Sequence, residues 1–246
     1  MTDGTGWWYW GWGVTRASTA PVGNITFRQQ KVGTDANGFL AITFDVAPTA
    51  GRSIIVVVSS IEVDLENNGL VSLIGGGGGT LTVAKATSTG TNIGASIWYM
   101  HNIPSGVTGV NVLDLNNQVR VSANASEWSD LANTGPESTN SNVATSATVT
   151  TNSATPVFAA SLVIAAGAWV ADNYSTGPTN SFTRMTKAGA AAALLEGAYL
   201  IRSTAAASST GWGLTGSTAW AAAIARSKWM ACVSISRRTW SKMCDP

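Results

Sequence analysis

The residues able to do chemistry are few. His101 is the only histidine of the 246-residue chain and follows Trp98, Tyr99 and Met100. General base catalysis by histidine needs a nucleophile on one ring nitrogen and an orienting acid on the other. No sequence neighbour supplies either, so the expectation is a strand-end histidine held by a structural hydrogen bond. Glu62, Asp64 and Glu66 alternate along the chain. On a strand their carboxylates share one face, which suits oxygen ligation of Ca²⁺. The segment lacks the Asp-x-Asp-x-Asp-Gly spacing of an EF-hand, and a solvated strand end entering a turn is the plainer alternative. Glu127 and Asp130 flank Trp128. A glycosidase would need such a pair to face across a sugar cleft, yet two acids this close arise in almost any β protein of this size. The five glycines Gly75–Gly79 are followed by Thr80, Leu81 and Thr82 in strand pattern. A phosphate cradle would need Lys-Ser/Thr and a helix N-terminus at that point. No catalytic residue, cofactor or metal is therefore expected, and the chain reads as a non-enzyme.

The most distinctive segment lies near the start, where Trp7, Trp8, Tyr9, Trp10 and Trp12 fall between Gly6 and Gly13. Burying one large aromatic is worth about 2–3 kcal/mol, and five left exposed would drive aggregation. The covering surface can be the chain's own sandwich, a neighbouring subunit, or a ligand such as a sugar. Tryptophan and tyrosine dominate interface hot spots, which favours the subunit. The arm residues are thus the expected partner interface, with Arg237, Arg238 and Trp240 of the basic C-terminal tail as a secondary contact.

These groups must be positioned by strands. Short runs of β-branched and aromatic residues alternate with Gly, Asn, Ser, Thr and Pro, a strand-and-turn signature. Strands are predicted over 24–31, 38–46, 53–62, 79–85, 94–101, 107–114, 118–127, 143–151, 156–166, 181–187, 192–202, 218–226 and 229–236. Strict alternation from Val119 to Ala125 predicts one buried and one wet face. The continuous run Ile54–Val58 predicts a strand buried on both faces. Residues 187–198 are alanine-rich, which favours helix, but Gly189 and Gly197 interrupt them and Tyr199, Leu200 and Ile201 continue as strand. The segment is read as a strand of small residues, as is 219–225. The polar stretch 133–156 is either a linker or two edge strands.

Many strands without alternating helices exclude a parallel α/β fold and predict an all-β, jelly-roll-like antiparallel β-sandwich. Its expected organisation is an extended N-terminal arm over 1–20, the sandwich over 21–236 and a basic tail over 237–246. Charged residues are only 11% of the chain, against roughly 25% in an average domain. A surface built from Ser, Thr, Asn, Ala and Gly suits a protein in contact with neighbours. The net charge of +1 gives no global attraction to nucleic acid or membrane, and neither is expected as a partner. Beyond position 225 there are five basic residues against the single acid Asp245, so the tail can meet an acidic partner or remain solvated. Cys232 and Cys244 do not make a disulfide framework, and their pairing stays open. No signal-peptide pattern is seen, and the Trp-rich start is too short and Gly-broken to span a membrane. Synthesis in the cytoplasm is the expectation.

Six pieces of the chain follow one another in a familiar order. They are Ser53-Ile-Ile-Val-Val-Val-Ser-Ser, Ala95-Ser-Ile-Trp-Tyr-Met-His-Asn, Gly109-Val-Asn-Val, Val119-Arg-Val-Ser-Ala-Asn-Ala-Ser-Glu, Ser161-Leu-Val-Ile-Ala-Ala and Trp220-Ala-Ala-Ala-Ile-Ala. From Arg52 to Arg226 the chain resembles bacterial and phage-associated jelly-roll modules of virion proteins, of the capsid decoration (cement) and tail or fibre types. The resemblance implies a structural role in the virion and trimeric assembly, with the major capsid protein or neighbouring copies as partners. It transfers no catalytic residue, and the arm and residues 227–246 lie outside it. The first expectation is a decoration protein on a phage head. The second is a carbohydrate- or receptor-binding module using Trp98, Trp128, Trp169 or Trp212 as exposed stacking platforms. A glycan-active enzyme comes last.

Overall fold

A computed structural model of the chain describes residues 24–61, 69–89, 93–114, 120–155, 160–170, 175–189 and 193–228. Among these the protein is all-β, with no helix. The strands are β1 (Thr26–Asp35), β2 (Phe39–Thr43), β3 (Ser53–Ser60), β4 (Gly69–Gly75), β5 (Thr82–Ser88), β6 (Gly94–Met100), β7 (Val107–Asp114), β8 (Val121–Ser129), β9 (Ser138–Thr150), β10 (Ser161–Trp169), β11 (Thr183–Arg184), β12 (Leu194–Arg202) and β13 (Gly211–Lys228). All named pairings are antiparallel, in three sheets. A central sheet has the order β1-β8-β3-β6-β5, a front sheet β2-β7-β4, and a back sheet β11-β12-β10-β13-β9.

The central sheet lies between the other two, and its side chains alternate between two cores. Ile54, Val56 and Val58 of β3 pack forward with Leu40, Ile42, Val71, Val110 and Val112. Ile55 and Val57 pack backward with Leu162, Ile164, Leu195 and Ala221. The prediction for this apolar run holds: all eight residues of β3 are buried. For β8 the alternation misleads, because all nine of its residues are buried. The face predicted to be wet, with Ser122, Asn124 and Ser126, is covered by the back sheet. Its polar groups find partners inside: Ser126 Oγ donates to the Ile55 carbonyl (3.0 Å), and Asn124 Nδ2 reaches Gln30 Oε1 (3.0 Å) and the Thr186 carbonyl (2.9 Å). The all-β antiparallel sandwich expected from the sequence is found, with a third sheet layered on it, and alternation cannot distinguish water from a small-residue packing face.

The strand β4 was not anticipated from its Gly-Leu-Val-Ser-Leu-Ile-Gly sequence. It enters the glycine run, where all five residues have positive φ. A hydrogen bond from Gly78 N–H to the Gly75 carbonyl (3.0 Å) closes a turn whose two central residues, Gly76 and Gly77, both need the left-handed region, as in a type I′ hairpin. A Cβ on Gly75 would also overlap the Gly106 carbonyl. The glycines thus serve a tight turn and a close backbone approach. After it, residues 79–81 bond to β4 (Leu73 N–H to Gly79 O, 2.8 Å; Leu81 N–H to Val71 O, 2.7 Å), whereas Thr82 onward pairs with β6. The chain therefore crosses from the front sheet to the central one here.

Of the alanine-rich segments read as strands, 219–225 lies within β13, whereas 187–198 is strand only from Leu194, where β12 begins, and residues 187–189 before it carry just an isolated bridge from Ala188 to Leu195. From Trp220 to Ser227 both faces of β13 are buried: Ala221, Ala223 and Ala225 face the central sheet, and Trp220, Ala222 and Ile224 face outward into a third core. That outer core is covered by the β9/β13 ribbon. Asn152 Nδ2 donates to the Ser141 carbonyl (2.6 Å) and Asn140 Nδ2 to that of Ser153 (2.9 Å). In an extended strand at about 3.3 Å per residue these groups would lie more than about 30 Å apart, so the ribbon doubles back. Its returning half places Trp212 against Gly167, where a Cβ would meet the indole at 2.9 Å. The stretch 133–156 is thus mostly one bent edge strand. Asn140 and Asn142 accept from Ser141 N–H and Val143 N–H through their Oδ1 atoms, occupying backbone groups that an open edge would offer to another chain.

Candidate functional site

Trp7, Trp8, Tyr9, Trp10, Trp12, Arg237, Arg238 and Trp240 all lie outside the described residues, as do Glu62, Asp64, Glu66, Cys232, Cys244 and the strand predicted at 229–236. The remaining candidates are placed, and the structure does not assemble them into one site. Glu127 is buried on β8 and fully engaged. It accepts from Gln29 Nε2 (2.6 Å), Thr49 N–H (2.9 Å) and Arg52 Nη1 (3.0 Å), fastening the loop between β2 and β3 to the central sheet. Asp130 is exposed beyond the strand end and accepts from Ser129 Oγ (2.7 Å). The two acids do not form a glycosidase pair. A second buried carboxylate, Glu196, accepts from Ser175 Oγ and pairs with Arg184 Nε at 2.6 Å. That contact lies off the N–H direction and acts as an ion pair rather than an aligned hydrogen bond.

The expected stacking platforms are corrected outright. Trp98, Trp128, Trp169 and Trp212 are all buried, the last three completely. Trp98 Nε1 donates to Ser96 Oγ (2.8 Å) and Trp128 Nε1 to Ser126 Oγ (2.9 Å). Trp98 and Trp128 lie in the two cores flanking the central sheet, and Trp169 and Trp212 in the outer core under the β9/β13 ribbon, so none of the four can meet a sugar.

His101 is where the structure adds what the sequence could not. It sits just past β6, stacked at a tilt beside Tyr99 with ring centroids 5.0 Å apart. Its Nδ1 is 2.8 Å from the Oγ of buried Ser53, 48 residues away. This is the structural hydrogen bond anticipated for it, although its partner carried no local signal in the sequence. The other nitrogen, Nε2, is buried without a hydrogen bond of ordinary geometry. His101 also lines a pocket of about 300 Å³ together with Thr80, Thr82, Tyr99, Met100, Asn133, Thr134 and Gly135. Three pieces of chain build this pocket: the crossing point before β5, the end of β6, and the loop after β8. Hydrogen bonds from Ala132 N–H to the Lys228 carbonyl (3.2 Å) and from Glu137 N–H to that of Arg226 (2.8 Å) hold that loop against β13. Among the described residues no group of three acids, histidines or cysteines is placed to hold a metal ion.

The chain matches no known family model and no curated protein.

Burial pushes the His101 pKa from 6.5 down to about 4, with the Thr134 backbone opposing part of the shift. The unfolded chain takes up this proton near its ordinary value, whereas the folded chain stays neutral until about pH 4. Protons therefore favour unfolding between those values. The contribution is complete above about 6.5, lost as pH falls, and constant below about 4, amounting to about 3 kcal/mol. Denaturant midpoints measured across this range are expected to fall more steeply for the wild type than for His101→Gln. Parallel profiles would contradict the assignment.

Proposed function

We propose that this protein is a virion structural protein, a capsid decoration (cement) protein that binds a phage head by protein–protein packing and stabilises it. The strand order carries the reading. The central order β1-β8-β3-β6 faces β2-β7-β4, and the chain entering β5 is bonded to β4. This nesting corresponds to the paired Greek keys of a jelly roll, an architecture used by viral capsid domains. The surface chemistry supports the same role: β9 offers thirteen residues of Ser, Thr, Asn, Ala and Val without one charge. Contact is assigned to the aromatic arm, Trp7–Trp12, inserted into a neighbouring copy or the shell, with a trimer as the assembly and the virion as the location.

Deleting residues 1–13 tests this. The truncated protein is expected to keep the denaturation midpoint of the full chain but to lose binding to heads assembled from the capsid protein of the same virus. Wild-type occupancy by the truncated protein would overturn the arm's role. Mass measurement of the full chain in solution is expected to return a trimer, and a monomer would contradict the assembly.

A further inference from the structure

We propose that Asn37, in the loop between β1 and β2, is a spontaneous modification site: its side chain cyclises with the Gly38 nitrogen and the ring opens to aspartate and isoaspartate. The step uses only the chain and water, and it stands independently of the decoration role.

Three observations carry it. The first is the pair itself. Asn37 is followed by Gly38, and glycine has no Cβ to hinder a five-membered ring closing between its nitrogen and the preceding side chain. Every other asparagine among the described residues precedes a residue with a Cβ. The second is freedom. Asn37 is exposed, and among the described residues neither its carboxamide nor the Gly38 N–H has a hydrogen-bond partner. Asn124, Asn140 and Asn142, by contrast, hold their side-chain amides in hydrogen bonds. The third is the loop. Only Ala36, Asn37 and Gly38 separate the two strands. The N–H groups before and after Gly38 are both claimed by Asp35 Oδ1, at 2.6 Å from Asn37 N and 3.3 Å from Phe39 N, and the turn passes over the Gly38 nitrogen. Gly38 has little exposed area, but nucleophile and electrophile belong to adjacent residues and only a proton has to leave.

The Gly38 nitrogen gives its proton to hydroxide and attacks Asn37 Cγ. The bond from Cγ to the side-chain nitrogen breaks, and that nitrogen leaves as ammonia with a proton from water. Water then opens the succinimide at Cγ, giving aspartate, or at the Asn37 main-chain carbonyl carbon, giving isoaspartate. Either product gains a negative charge beside Asp35 and two residues before Phe39, which is 52% exposed. Isoaspartate also lengthens the main chain of the short loop by one methylene.

Trypsin cleavage after Lys31 and Arg52 isolates residues 32–52, in which Asn37 is the only asparagine and no glutamine occurs. Asn68, the chain's other asparagine before a glycine, falls in a different fragment. Residues 121–184 form a fragment with seven asparagines, none followed by glycine, and serve as the internal control. Full-length folded protein is held in mildly alkaline buffer for several days and digested beside an untreated sample. Fragment 32–52 is expected to gain about one dalton in two separable products, and fragment 121–184 to gain it about tenfold more slowly per asparagine, since a following Cβ hinders ring closure. Asn37→Gln, whose longer side chain closes a ring slowly, should keep the wild-type denaturation midpoint and leave the mass of 32–52 unchanged. A fixed mass for wild-type 32–52, a gain no faster per asparagine than in 121–184, or a single product identical with that of Asn37→Asp would overturn the proposal.

Discussion

Replacing Trp128 with alanine is expected to destabilise the protein by about 3–5 kcal/mol, the range for removing a large aromatic from a core. Trp128 has no exposed surface. It stands on the back of the central sheet and touches both neighbouring elements: Phe27 of β1 edge-on at 5.2 Å and Tyr199 of β12 at 5.0 Å, while Phe27 and Tyr199 stack at 5.7 Å. The three rings thus join the central sheet to the back sheet. Alanine would leave a cavity between two layers whose backbones are fixed by their own ladders, and limited collapse makes the cost high. Trp128→Phe should recover more than half of the loss. The remainder reflects lost volume and the Ser126 Oγ left without its indole donor. Chemical denaturation gives both values. A loss below about 1 kcal/mol for the alanine variant would mean that the two sheets do not depend on this cluster.

The second large effect belongs to Glu127. Its carboxylate accepts three hydrogen bonds while 2% exposed, and hydrogen bonds to a charged group contribute about 1.5–3 kcal/mol each without adding linearly. Glu127→Ala is expected to cost about 3 kcal/mol, because it strips the Thr49 N–H of its acceptor and leaves the Arg52 guanidinium without its counter-charge. Arg52 is 30% exposed and can recover some hydration, which keeps the loss below that of a fully buried pair. Glu127→Gln retains the shape but turns a donor toward donors, so it should cost nearly as much. Lys31 and Asp45 supply the contrast. Their bridge is 2.7 Å long but exposed on both sides, and Lys31→Ala should change stability by less than about 1 kcal/mol. Limited proteolysis between β2 and β3 should quicken in Glu127→Ala and not in Lys31→Ala. Equal effects of the two substitutions would show that burial does not set the value of these ion pairs.

Strand identity was legible from local chemistry along much of the chain, with β4 the exception. β-branched and aromatic residues marked β3, β6, β7 and β10, and the uninterrupted Ile54–Val58 run correctly announced a strand with no wet face. The alanine-rich segment 219–225 read as a strand because Trp220, Ala222 and Ile224 keep a two-residue period that a helix would not use; 187–198 read as one because Gly189 and Gly197 interrupt it and Tyr199, Leu200 and Ile201 have strand character, and it is strand only from Leu194. The glycine run serves a tight turn and a close backbone approach, since positive φ and an absent Cβ are properties of the residue itself.

What the sequence could not express was the layering. Ser122, Asn124 and Ser126 alternate with apolar neighbours as a solvated face would, and only the back sheet's position turns them into interior groups with interior partners. Layering buried Trp98 beneath the front sheet, Trp128 beneath the back sheet, and Trp169 and Trp212 beneath the β9/β13 ribbon, although as isolated residues they could equally have been binding platforms. Ser53 and His101 meet because β3 and β6 are adjacent, and Asn133–Gly135 reach them because hydrogen bonds to the end of β13 hold their loop in place. Residue type and period fix which strands form, because those are one-dimensional properties. Which faces are dry and which polar groups meet inside depend on contacts between strands distant in sequence, and only the tertiary structure decides them.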